Sequence, residues 1–416
     1  MKELQLFAEA IDQCVRCGAC QAHCPVYDQE RSEGTVARGK LALAKALLNG
    51  QVQIEQRLAE DLSLCLMCGS CVLKCPNKVP TDQIVGAMRR LITADQGLTP
   101  SARAVSALTG SPRLLNRLVK TVDLLSPALF RKVPSSSGLR LRFPLPGQHN
   151  RTLPATASQS LFARFPEYTQ GQADRPVVGI FAGCATSYLF PAIGAAMITL
   201  LTRLGFSLFF PHDQGCCGIP ARSAGNGRLI DQLSSANLRA FSRRPVDYIV
   251  TACASCNAGL RQLSVPDGPP PFADKVLDIH QLLCQEGIDR QLAALPRGRQ
   301  AVTVSYHDPC HLRTRGISEE PRRLLQALPD CDFVEMSGAD RCCGLGGTFS
   351  MHHYGCSQAI GRRKLPGLTA SNAALLATAC PGCMIQLQDT INHAGLPVRT
   401  VHSLELIIQA LDGQRP

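Results

Sequence analysis

Two cysteine runs near the N-terminus are spaced for metal chemistry. Cys14-Val-Arg-Cys17-Gly-Ala-Cys20-Gln-Ala-His-Cys24-Pro25 and Cys65-Leu-Met-Cys68-Gly-Ser-Cys71-Val-Leu-Lys-Cys75-Pro76 both read C-x2-C-x2-C-x3-C-P. This spacing wraps three thiolates around one face of a [4Fe–4S] cube, and the fourth cysteine of each run reaches the other cube. The expected ligand sets are Cys14, Cys17, Cys20 and Cys75 for one cluster, and Cys65, Cys68, Cys71 and Cys24 for its partner. Gly18, Ala19, Gly69 and Ser70 are small enough to leave backbone N–H groups free to approach the cluster sulfurs. Structural zinc sites usually take two-cysteine knuckles set well apart, which these runs are not.

Ten more cysteines repeat as two boxes. The first holds Cys184, Cys216-Cys217-Gly218 and Cys253-Ala-Ser-Cys256; the second holds Cys310, Cys342-Cys343-Gly344 and Cys380-Pro-Gly-Cys383. The offset is 126 residues for the first three cysteines and 127 for the last two. Val276-Leu-Asp-Ile-His280 likewise echoes Val398-Arg-Thr-Val-His402, so the chain carries an internal duplication. Five thiolates per copy exceed what a cubane takes, and adjacent cysteines do not easily reach two corners of one compact cube. They suit a more open cluster with bridging thiolates, or a division between metal and redox roles. Zinc in one copy, or a copy that binds nothing, stays open.

The elements that must position these thiols follow from the apolar pattern. Gly34–Leu48 and Thr81–Ile92 read as helices beside the N-terminal runs. In each copy a short apolar run precedes each cysteine loop: Pro176–Ala182, Phe206–Phe210 and Val246–Val250, then Ala301–Tyr306, Asp332–Met336 and Ala373–Ala377. Strands alternating with helices predict parallel sheets with right-handed crossovers, whose sites collect beyond the carboxyl ends of the strands. The expected fold is multidomain: an α-helical two-[4Fe–4S] ferredoxin-like domain followed by two duplicated α/β Cys-Cys-Gly domains. The expected divisions are 1–98 for the two-cluster domain, 99–174 for a basic helical segment and linker, 175–299 for the first copy and 300–416 for the second.

Clustered cysteines with no export signal argue for metal ligation in a reducing compartment rather than disulfides. No apolar run is long enough to span a bilayer. The formal charge of +11 counts metal-bound thiolates as neutral and so overstates the positive balance. With six Tyr, no Trp and no basic–aromatic groove pattern, nucleic-acid binding is not expected. Residues 100–165 hold ten Lys or Arg against the single acid Asp123, and Leu114, Leu115, Leu118, Val122 and Leu125 form a helical stripe there. This segment is a solvated basic helix or a surface that docks an acidic partner or an anionic membrane face. Pro134–Gly138, Pro144, Pro146 and Gly147 have linker composition.

Cys284, Cys331 and Cys356 lack counterparts in the other copy and read as ordinary cysteines. His280 and His402 recur in both copies, which suits helix capping or packing. His307 and His311 flank Cys310, close enough to tune a metal centre or relay protons, and the first copy has neither. No G-x-G-x-x-G opens a helix after a strand, and no nucleophile–base signature stands out, so no catalytic residue is assigned.

The layout of two N-terminal [4Fe–4S] runs and two C-xn-CCG-xm-CxxC boxes resembles the iron–sulfur subunits of glycolate oxidase and related D-lactate dehydrogenases. It is similar also to the iron–sulfur subunit of anaerobic glycerol-3-phosphate dehydrogenase and to heterodisulfide reductase subunits. Phe181-Ala-Gly-Cys184, His307-Asp-Pro-Cys310-His311-Leu312 and Thr348-Phe349 carry family wording around the boxes. The resemblance implies an electron-transfer subunit of a flavin-dependent 2-hydroxy-acid dehydrogenase, acting on glycolate or D-lactate. The FAD sits on a partner oxidase subunit, and a quinone or other membrane acceptor receives the electrons. It implies one or two non-cubane [4Fe–4S] clusters, held by Cys184, Cys216, Cys217, Cys253 and Cys256 and by Cys310, Cys342, Cys343, Cys380 and Cys383. It places the chain in the cytoplasm, peripheral on the inner face of the cell membrane. Complete CxxC pairs in both copies also suit the heterodisulfide and glycerol-3-phosphate branches, the first as a catalytic thiol–disulfide reductase. A structural or zinc-binding C-terminal half is a third reading.

Overall fold

The computed structural model describes residues 1–132, 139–141, 151–155, 157, 159–263, 270–298 and 301–414. The two N-terminal runs sit among short helices braced by Ala37–Leu48 and Thr81–Gln96. Leu41, Ala44 and Leu47 on the first helix meet Ile84, Val85 and Met88 on the second, which gives this part a core of its own. The helical spacing of those residues places them on one stripe per helix, as the sequence pattern requires.

Two sheets follow. In the first copy β5 (Val177–Ile180), β6 (Ser207–Phe209), β7 (Tyr248–Thr251) and β8 (Val276–Asp278) run parallel, and β4 (Tyr168–Thr169) closes one edge antiparallel to β6. The strand order is β4-β6-β5-β7-β8. In the second copy β9 (Val302–His307), β10 (Cys331–Phe333), β11 (Leu375–Thr378) and β12 (Arg399–His402) form an all-parallel sheet of order β10-β9-β11-β12. The duplication is therefore structural, and each apolar run expected before a cysteine loop contains or overlaps a strand, the Asp332–Met336 run only at Asp332 and Phe333. Cysteine loops leave the carboxyl ends of β5, β7, β9 and β11, where parallel sheets gather their sites.

The basic stretch forms helices Pro100–Gly110 and Pro112–Leu129. A small antiparallel sheet follows, of β1 (Phe130–Lys132), β2 (Leu139–Leu141) and β3 (Thr152–Leu153). The Pro-rich residues at 134–138 and 144–147 lie outside the described residues. Among the described residues, no helix is long and apolar enough to cross a membrane.

The two copies are not separate beads. One continuous apolar core joins Ile198 and Leu201 of helix Pro191–Arg203 to Leu404 and Ile407 of helix Ser403–Leu411. The paired histidines stitch the same junction. Asp278 caps helix Ile279–Gln285 and also takes a 2.6 Å contact from His280 Nδ1, while His280 Nε2 lies 2.6 Å from Ser403 Oγ. His402 caps helix Ser403–Leu411 by accepting from Leu404 N at Nδ1, and its Nε2 reaches the carbonyl of Ala252 in the other copy at 2.9 Å. That pattern requires a neutral ring with the proton on Nε2.

Burial, reinforced by nearby His280, lowers the His402 pKa to about 3. An unfolded histidine titrates near 6.5. As pH falls below that value the unfolded chain takes up a proton that the folded chain refuses. Stability should therefore decline on the acid side, by at most about 1.4 kcal/mol per pH unit from this group. His402→Asn keeps a capping acceptor and removes the ring. Unfolding midpoints at pH 7 and pH 5.5 should then lie closer together than in the parent; an equal gap would contradict this role.

Candidate metal centres

The N-terminal thiols gather into two groups. Cys14, Cys17, Cys20 and Cys75 surround one small cavity, into which Cys71 also reaches. Cys24, Cys65, Cys68 and Cys71 surround another, beside Lys40 and Asp82. Gly18 and Gly69 each precede a short helix in the left-handed conformation, φ 85° and 69°, which turns the chain around the sulfurs. Tyr27 N donates to Cys24 Sγ and Met67 N to Cys65 Sγ, both at 3.4 Å. Burial pushes the Cys24 thiol up to about 12, and the nearby Cys68 and Cys65 sulfurs add to the effect. Burial and neighbouring sulfurs that push the Cys24 and Cys71 thiols up suit a cation that stabilises them as thiolates.

The ten thiols of the two boxes line one cavity of about 420 Å³ between the copies, or lie directly against it. In the first box Cys184 contacts Cys216, Cys217 contacts Cys256, and Cys256 contacts Cys253. In the second Cys310 contacts Cys342, Cys343 Sγ lies 3.5 Å from Cys383 Sγ, and Cys383 contacts Cys380. Gly183 has φ +71°, and a Cβ there would lie 2.6 Å from Cys256 Sγ, so the turn before Cys184 admits only glycine.

Two sulfur contacts join the groups, and no local spacing announces them. Cys253 touches Cys380, which links the two boxes. Cys68 touches Cys342, which links the second N-terminal group to the second box. Val26 and Leu66 pack there against Phe349 and Ile360, and a Cβ on Gly346 would lie 2.4 Å from Leu66 Cδ2. Arg313 Nη2 donates to Ser70 Oγ at 3.0 Å across the same seam, and Arg363 pairs with Asp28. The sulfurs thus run in one line, from the Cys14 group through the Cys24 group and the second box to the first.

Profiles of known families match along this line. The 4Fe-4S dicluster domain matches residues 10–79, and the Cysteine-rich domain matches twice, at 178–261 and 304–388. A "Probable glycolate oxidase iron-sulfur subunit" of Bacillus subtilis is 30% identical over 99% of this chain and 97% of its own length. The chain belongs to the Cys-Cys-Gly iron–sulfur family. It is also similar to one subunit of the fumarate reductase (CoM/CoB) of Methanothermobacter marburgensis, at 27% identity over 95% of this chain and 72% of that protein. "Lactate utilization protein A" of Geobacillus kaustophilus is 30% identical over 55% of this chain and 98% of its own length.

As a Cys-Cys-Gly protein the chain has an N-terminal domain for two [4Fe–4S] clusters, and its donor chemistry fits them. All 21 cysteines are free thiols, so none is spent on a disulfide. Three side chains near the boxes escaped the sequence pattern. Lys364 is buried, donates from Nζ to the carbonyls of Gly338 and Ala339, and faces Cys343, Cys342 and Cys383. Burial lowers its pKa to about 8 while those sulfurs pull it back up. Ser255 Oγ bridges His311 Nδ1 at 3.1 Å and Cys380 Sγ at 3.5 Å, joining the copies. Arg89 is buried in the seam between the N-terminal domain and the first box and carries no local signal. The three unmatched cysteines, Cys284, Cys331 and Cys356, stand apart from the cavity.

Proposed function

We propose that this chain is the iron–sulfur electron-transfer subunit of a flavin-dependent 2-hydroxy-acid dehydrogenase. It would take electrons singly from an FAD-bearing partner that oxidises glycolate or D-lactate, and pass them to a quinone or other membrane acceptor. The observation that carries this reading is the unbroken line of sulfurs through Cys68–Cys342 and Cys253–Cys380. The ligands we assign are the two crossed N-terminal sets and, in the boxes, Cys184, Cys216, Cys217, Cys253 and Cys256 with Cys310, Cys342, Cys343, Cys380 and Cys383. Iron–sulfur clusters bound there supply one-electron redox chemistry. The protein holds the thiols in register and excludes water from them: eight of the ten box cysteines are buried. The domain divisions we assign are 1–98, 99–174, 175–299 and 300–416, with the edge strand β4 (Tyr168–Thr169) joining the first copy's sheet from just before its boundary.

The cavity between the copies extends past the cysteines into an apolar wing of Val105, Leu108, Leu115 and Val119, from the two helices of the basic segment. Leu114, Leu118 and Leu125 on the second of these helices are exposed. An apolar acceptor reaching the thiols from a membrane face would pass here, which favours a peripheral site on the cytoplasmic side. The same cavity supports a second reading, in which thiols of both boxes act on a disulfide substrate directly.

The test combines the anaerobically purified chain with its FAD partner. Glycolate or D-lactate should bleach the chain's iron–sulfur absorbance only when the partner is present, and a short-chain quinone should restore it. No bleaching with either acid would overturn the relay. Turnover of a heterodisulfide by the chain alone would move the assignment to the second reading.

A further inference from the structure

The duplication provides an internal comparison of the two boxes. At the offset of 126 residues Phe181 in the first copy corresponds to His307 in the second. Each lies at the carboxyl end of its central strand, and each is fully buried. Phe181 sits in apolar company, with its ring centroid 6.3 Å from that of Phe241. His307 has no such fit: neither ring nitrogen makes a well-formed hydrogen bond among the described residues, and the one polar group it approaches, the Ala339 carbonyl, already accepts from Asp308 N and Lys364 Nζ. A buried polar group so poorly served is destabilising. Buried histidines are normally paired, so this ring calls for an acceptor or a cation.

The surroundings say which. A ring nitrogen of His307, Cys343 Sγ and Cys383 Sγ all lie within 4.8 Å of one another. Metal–nitrogen bonds of about 2.0–2.1 Å and metal–sulfur bonds of about 2.3 Å put tetrahedral donors about 3.5–4 Å apart. Three donors at this spread can therefore close on one metal with small side-chain adjustments.

We propose that His307 is a metal ligand of the second box, which is then a mixed nitrogen–sulfur site with Cys343 and Cys383, while the first box, with Phe181 in that place, has no such ligand. The inference rests on the reading of the second box as a metal centre. Where the metal is iron, a neutral imidazole on it leaves the centre less negative and raises its reduction potential, as histidine ligation does in Rieske centres. Lys364 acts in the same direction, whereas the first copy sets the neutral amide of Asn237 beside its loop, donating to the carbonyl of Cys216 at 3.0 Å. The second box is then the more oxidising of the two.

The test uses the full chain, purified anaerobically. Metal analysis identifies the element held beyond the N-terminal clusters, and X-ray absorption at that element's edge reads its neighbours. A nitrogen neighbour should be present in the parent and lost in both His307→Phe and His307→Cys. The cysteine variant covers the case in which phenylalanine does not fold, and the N-terminal cluster signals report folding in either. Nitrogen at iron or at zinc would support the proposal alike. A parent whose extra metal has sulfur neighbours only, or a nitrogen neighbour that survives in both variants, would overturn it while leaving the relay intact. A chain with no metal beyond the N-terminal domain would instead overturn the metal reading of the boxes, and this inference with it.

Discussion

Cys68→Ser should strip the second N-terminal cluster, about four iron atoms per chain, and stop delivery of electrons to the acceptor. Cys68 stands in two places at once. It belongs to the group with Cys24, Cys65 and Cys71, and its sulfur touches Cys342 of the second box. Serine keeps the size but is a poor ligand for iron. Where folding depends on metal, the loss of one cluster also weakens the surrounding helices. Iron analysis, together with acceptor reduction by the reconstituted complex, checks both halves. Acceptor reduction should fall to background, and flavin reduction on the partner should persist. Full iron with full turnover would show that this sulfur is neither ligand nor junction.

Arg89→Met should cost about 3–5 kcal/mol, because it leaves buried carbonyls bare. Arg89 lies on helix Thr81–Gln96 and is almost fully buried. Its Nε and Nη2 donate to Leu62 O at 3.1 and 2.8 Å, Nη2 also reaches Ser63 O at 3.1 Å and Cys65 O at 2.7 Å, and Nη1 reaches Ser223 O at 3.0 Å. One guanidinium thus ties the turn into the second cysteine run to the first Cys-Cys-Gly copy. The planar fork makes this possible; the point charge of a lysine serves one or two of those carbonyls. Arg89→Lys should fall between parent and methionine variant in denaturant midpoint, and the methionine variant should expose the N-terminal domain to limited proteolysis. A methionine variant as stable as the parent would contradict the bridging role.

What was legible in the sequence is local. The spacing of Cys14 to Cys24 and of Cys65 to Cys75 dictates which thiols can share a cluster, and the structure brings them together in those groups. The 126-residue offset, with alternating apolar runs, foretold two parallel sheets. The edge strands Val276–Asp278 and Arg399–His402 were visible only as an echo between copies, since three or four residues make no period of their own. What was not legible depends on contacts between distant segments. Nothing near Cys68 points to Cys342, and nothing near Cys253 points to Cys380. Those meetings follow from the shared core that binds Ile198 and Leu201 to Leu404 and Ile407. Arg89 stands beside Arg90 with no local pattern that sets it apart. His307 stands out in the sequence for its place near Cys310, but its approach to Cys343 and Cys383 is a property of packing.

The central claim is that these thiols hold adjacent iron–sulfur centres in one connected line. Electron paramagnetic resonance of the anaerobically reduced full chain tests it most directly. The account predicts signals broadened by magnetic interaction between neighbouring centres, and in Cys68→Ser the interaction between the N-terminal and Cys-Cys-Gly parts should vanish. Sharp signals of isolated clusters, unchanged by that substitution, or no signal at all, would contradict it.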